Sequence, residues 1–161
     1  MLRFLRGFGW IVNIALVAMA ADGIRLHLAG STDLGRHALW GLFVSLAFLL
    51  LHTLPYFYLA GCAGRLREAA RAEPREAPKA EMAVRLKARM FWPSLAAVAL
   101  GLAVPIVGFA QMAQAAPRFL HGALVLALVV VHVFVWARHL MTLDIVGRLL
   151  VSLSRMERNE P

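Results

Sequence analysis

Three stretches of this chain contain no Asp, Glu, Lys or Arg: residues 37–64, 90–117 and 119–137. A bilayer is crossed by roughly 20 apolar residues at about 1.5 Å each, so every one of these runs is long enough. A fourth apolar run starts at Gly7 and continues to Ala21, then meets Asp22 and Arg25 before it ends near Gly30. The pattern predicts an all-α integral membrane four-helix bundle with helices at 8–29, 36–60, 91–114 and 118–141. A cytoplasmic loop is expected at 61–90. The composition agrees: 61% of residues are hydrophobic and 16% charged, with a mean hydropathy of +0.70, outside the range of ordinary soluble domains. Disordered chains, coiled coils and nucleic-acid arms are excluded. The lone Cys62 rules out an internal disulfide and any paired-cysteine metal or redox motif.

The first helix has a rival reading. Arg3 and Arg6 precede an apolar segment that ends in Ala18-Met19-Ala20, a small-x-small pattern of the kind signal peptidase cleaves. The expectation is an uncleaved helix. Among the basic residues, Arg3 and Arg6, eight in the 61–90 segment, and Arg138, Arg148, Arg155 and Arg158 all fall on one side. Only Arg25, Arg36 and Arg118 fall toward the other. By the positive-inside rule both termini and the long segment are cytoplasmic, as in the inner membrane of a bacterium.

Pro74 and Pro78 are expected to break any continuous helix in the loop, which is read as lying along anionic headgroups. Beyond the fourth span, Leu143, Ile145, Val146, Leu149, Leu150 and Leu153 recur at helical spacing opposite Asp144, Arg148, Ser152 and Arg155. This predicts an amphipathic helix at about 142–156, interfacial or docked on a partner subunit. Pro55, Pro93 and Pro105 should bend their helices. Trp10, Trp92, Trp136, Tyr56 and Tyr58 fit an aromatic belt at the cytoplasmic interface, and Trp40 one outside.

Polar groups placed in hydrocarbon at a cost are the candidates for function. The second and fourth helices run in the same direction. Counted from their outer ends, His37 lies about 3 Å deep and His52 about 26 Å, while His121 lies about 4–5 Å deep and His132 about 21 Å. Two matched levels result, His37 with His121 outside and His52 with His132 inside. Neutral imidazoles on two facing helices can bind haem iron axially, each using its second ring nitrogen for an orienting hydrogen bond. Arg36 and Arg118, with Arg25, would neutralise the propionates of an outer haem, and Arg138 with His139 those of an inner one. The haem would be b-type, since Cys-x-x-Cys-His is absent.

Asp22, Arg25 and His27 form a second constellation. It is either a snorkelling i, i+3 ion pair or a quinone or proton site near the outer face. Met19, Met112, His27, His37 and His121 would suit Cu(I), although no Met-x-Met or His-x-His cluster is present. The hairpins 8–60 and 91–141 each place a His deep in their second helix, a pattern compatible with an internal repeat.

The segment HVFVWARHLMTLD, from His132 to Asp144, resembles the haem-bearing helix of the cytochrome b membrane-anchor subunit of succinate dehydrogenases. That family carries a ligand His, followed by Arg-His and a nearby Asp. The resemblance implies His132 as haem ligand, Arg138 and His139 at the inner rim and Asp144 beyond it. In this chain the Asp follows the second His by five residues rather than four. The stacked histidines are also similar to the four-helix core of two-haem b-type cytochromes.

The expectation for function is an electron-transfer subunit that holds one or two b haems on His52, His132, His37 and His121. It would exchange electrons between the quinone pool and a partner protein. The competing reading is a haem-free accessory subunit that stabilises a larger membrane complex, with the histidines as interhelical hydrogen-bonding groups. A small transport or metal-handling protein is a third, and would need an oligomer.

Overall fold

The computed structural model describes residues 2–29 and 34–159, with the side chains of 27–29, 34, 118 and 154–159 outside the description. Four α-helices account for nearly all of it: α1 (Leu2–Ala29), α2 (Leu34–Ala72), α3 (Ala77–Met112) and α4 (Arg118–Asn159). All four are long and apolar enough to cross a membrane, so the chain is a multi-pass membrane protein. They alternate in direction, and both chain ends share one end of the bundle with the α2–α3 turn. That end carries most of the basic residues and is called the basic end below.

Helices α2 and α3 pack along their length and α3 packs on α4, while α1 closes the bundle against α2 and α4. The diagonal pair α2 and α4 also touches. Phe48, Leu51, Leu59, Met90, Ala97, Leu128 and Val135 form the core, joined by Leu5 and Val12 of α1. Gly101 is required at one crossing, since a Cβ there would lie 2.8 Å from the Phe48 ring. Large apolar side chains such as Trp10, Ile14, Phe57, Trp92 and Ile106 point outward, as lipid-facing residues do.

Two expectations are corrected. Residues 61–90 are not a loop, because α2 continues to Ala72 and α3 begins at Ala77. Pro74 and Pro78 fall at the first positions of a 3-10 turn (Pro74–Glu76) and of α3, where the missing N–H costs nothing. Only Glu73 is extended, with φ −134° and ψ 103°, as a residue before proline prefers. Nor is 142–156 a separate helix lying in the interface: it is the unbroken continuation of α4. Its apolar face is covered by the same chain. Ala63, Leu66, Ala80 and Ala83 make a second buried cluster against Leu149, Leu150 and Leu153. Helices α2, α3 and α4 have 39, 36 and 42 residues. At 1.5 Å per residue they measure about 54–63 Å, against a hydrocarbon core of about 30 Å. These three helices are therefore longer than a hydrocarbon core is thick, and their charged portions lie at the basic end.

At the opposite end α3 stops at Gln114, whose φ of 57° is left-handed. The Ala115 N–H donates to the Ala110 carbonyl at 2.8 Å, the wrapped ending that satisfies last-turn carbonyls.

Candidate functional site

Two polar centres occupy the bundle at different heights. The deeper one lies toward the basic end, beside an aromatic girdle in which Trp10 meets Trp136 edge-on at 5.7 Å and Tyr56 meets Phe91 at 5.8 Å. His52, His132 and His139 are all essentially solvent-inaccessible there. His52 Nε2 and His132 Nδ1 are 2.9 Å apart, and His132 Nε2 is 3.1 Å from Asn13 Oδ1. His139 Nε2 is 3.0 Å from Ser94 Oγ, and that hydroxyl donates to the Met90 carbonyl at 2.7 Å. Side chains from all four helices thus join one buried cluster. His132 and His139 are two turns apart on α4, and the His52 ring lies within reach of both, at centroid distances of 5.2 and 5.5 Å.

As placed, His52 and His132 do not hold a haem. Two axial imidazoles bind from opposite sides of the metal at roughly 2 Å each, which puts their nitrogens about 4 Å apart with the porphyrin between them. Here the rings hydrogen-bond directly and stand at 89° to each other. The fully buried Phe48 fills the adjacent space, 4.5 Å from one ring and 5.2 Å from the other. Of the residues that the succinate dehydrogenase resemblance singles out, Arg138 lies over the Phe134 ring at 4.8 Å, Asp144 pairs with Arg148 at 3.0 Å, and His139 is fully buried.

The other centre lies at the opposite end. His37 Nδ1 is 3.0 Å from Asp22 Oδ2, and Arg25 donates to Asp22 Oδ1 at 2.8 and 3.2 Å. The Asp22–Arg25 ion pair of the sequence analysis is present, but the histidine it holds is His37. The side chain of His27 is outside the described residues, as is that of Arg118. His121 Nδ1 donates to the Val104 carbonyl at 3.2 Å. A carboxylate and a carbonyl only accept, so both rings carry the proton on Nδ1 and leave Nε2 bare when neutral. Glycines make room for each ring: a Cβ on Gly23 would lie 3.2 Å from His37 Cε1, and one on Gly108 would lie 3.0 Å from His121 Cε1. Arg25 and Arg36 are exposed at the same level.

Each ring of this pair is anchored through Nδ1 to an acceptor, unlike the His52–His132 pair, whose rings bond to each other. A metal-binding histidine almost always gives its second N–H to a carboxylate or a backbone carbonyl, which fixes the tautomer and the ring plane. Both acceptors are in place here, one for each ring. Among the described residues no group of three or more His, Cys, Asp or Glu side chains is arranged to hold a metal ion. Asn13 and Ser94, which organise the deeper centre, escaped the sequence reading although both lie in charge-free apolar runs, and their polarity was the available signal.

Neither a protein-family model, nor a curated protein, nor a solved structure matches this chain.

Proposed function

We propose that this protein is a b-type haem-binding membrane electron-transfer subunit whose axial ligands are His37 and His121. The observation that supports the reading is the matched anchoring of both rings through Nδ1, to Asp22 on one side and Val104 on the other. It leaves two bare Nε2 atoms on the diagonal helices α2 and α4. Bound there, haem supplies reversible one-electron chemistry. The chain's own contribution is orientation and charge. Asp22 holds His37, and the exposed Arg25 and Arg36 would supply cations for haem propionates. On this reading the haem lies near the outer face of a bacterial inner membrane, with both termini and the basic end in the cytoplasm. Electrons pass between the quinone pool and a partner protein.

A haem-free accessory subunit remains the second reading, favoured by one observation. His52, His132, Asn13, His139 and Ser94 tie all four helices together through buried hydrogen bonds, as structural glue would.

The reduced-minus-oxidised absorption spectrum of the detergent-purified protein, with pyridine haemochrome per chain, separates the two. One b haem is expected, absent from His37→Ala and His121→Ala and retained in His52→Asn. Asp22→Asn should weaken haem retention about 10–100-fold, the usual effect of losing an orienting partner. A flat spectrum from haem-supplied protein with its native partners retained would move the conclusion to the accessory subunit. Haem that follows His52 and not His37 would overturn the ligand assignment.

A further inference from the structure

The hydrogen positions of the deeper cluster follow from its acceptors. Asn13 Nδ2 donates to the Gly9 carbonyl at 2.8 Å; an amide oxygen there would face a second acceptor, so Asn13 Oδ1 must be the atom turned to His132. An amide oxygen only accepts. His132 therefore donates from Nε2, its Nδ1 is bare, and the bond to that nitrogen comes from His52 Nε2–H. The same reasoning holds on the other side. Ser94 spends its only hydrogen on the Met90 carbonyl, so its oxygen accepts from His139 Nε2–H. Both chains of donors run away from the centre. They leave His52 Nδ1 and His139 Nδ1 as lone pairs, fully buried and without a hydrogen-bond partner.

A buried acceptor left unmet costs about 1–3 kcal/mol, and here two belong to neighbouring rings whose centroids are 5.5 Å apart at 45°.

We infer that His52 Nδ1 and His139 Nδ1 form an intramembrane site for a single soft monovalent cation, Cu(I). The donor set decides the charge. Two neutral imidazoles bring no negative charge, and the desolvation cost of an ion rises with the square of its charge, which disfavours a divalent ion in this apolar core. Zn(II) also wants four ligands, whereas imidazole with thioether suits Cu(I). The thioether of Met90 is wholly buried in the same core. The site is separate from the His37–His121 pair and does not depend on haem.

The test uses the whole detergent-purified protein, loaded with Cu(I) under a reductant and then challenged with a Cu(I) chelator of known affinity. The wild type should retain one copper per chain, with an X-ray absorption spectrum of low-coordinate nitrogen ligation. His139→Ala and His52→Ala should each bind at least tenfold more weakly, while His37→Ala binds as wild type. Ser94→Ala removes the acceptor that fixes the His139 tautomer without removing a ligand, so it should weaken copper severalfold even if His52→Ala fails to fold. No copper retained by the wild type would overturn the site and leave a buried water as the occupant. Copper retained in both His139→Ala and Ser94→Ala, or Zn(II) bound as tightly as Cu(I), would overturn it equally.

Discussion

A Cβ on Gly9 would lie 2.4 Å from Trp136 Nε1, a distance at which something must move, whereas one on Gly7 meets nothing within 4 Å. The Trp136 ring also lies parallel to that of His132, at 6.1 Å and 9°. Gly9→Ala should therefore push the indole into the deeper centre and lower stability by about 1–3 kcal/mol, the usual cost of overpacking. Gly7→Ala should raise stability by about 0.5–1 kcal/mol, because an open helical position gains from losing glycine's backbone freedom. Thermal unfolding of the two variants in one detergent checks both, and equal melting temperatures would contradict the close approach. Nothing in the local sequence separates the two glycines, since both stand among apolar residues at the start of α1. Asn13 is the opposite case. Its polarity within a charge-free run was visible, but its partners, Gly9 and His132, are set by the α1–α4 crossing.

Helix periodicity gave the spans and misjudged what joins them. The 61–90 segment looked like a loop because it is charged, short of large apolar residues and punctuated by two prolines. Its Ala, Arg and Glu content is nevertheless strongly helix-forming, and both prolines fall where a helix begins. The apolar stripe at 143–153 lies on α4, but a stripe does not say what covers it. In the structure the cover is Leu66 and its alanine neighbours. Leu66 is fully buried and Arg67 beside it is exposed. Leu66→Ala should cost about 2–5 kcal/mol by emptying the centre of that cluster. Arg67→Ala should stay within about 0.5 kcal/mol. Denaturant titrations followed by circular dichroism measure the difference, and a neutral Leu66→Ala would mean that the three helices do not pack together there.

Across the whole molecule most of the basic residues sit at the end that holds both termini and the α2–α3 turn, so one experiment fixes the orientation. Single cysteines introduced at Arg71 and Gln114, in a Cys62→Ala background, should react with a membrane-impermeant thiol reagent from opposite sides. In intact cells only the Gln114 position is expected to label, and labelling at Arg71 instead would invert the topology. The sequence by itself determined the class of the protein. Long charge-free runs must find apolar surroundings, and each backbone polar group inside a bilayer must be satisfied within its own helix, so four spans follow from composition and spacing alone. Histidine heights were legible for the same reason, because rise per residue is fixed. Only the tertiary structure decided what each histidine touches. That depends on the rotation of one helix against another, on whether a glycine lets a ring lie flat, and on which acceptor stands at the crossing. His52 and His132 therefore end bonded to each other, while Asp22 and Val104, far apart in sequence, each fix one ring through Nδ1, those of His37 and His121.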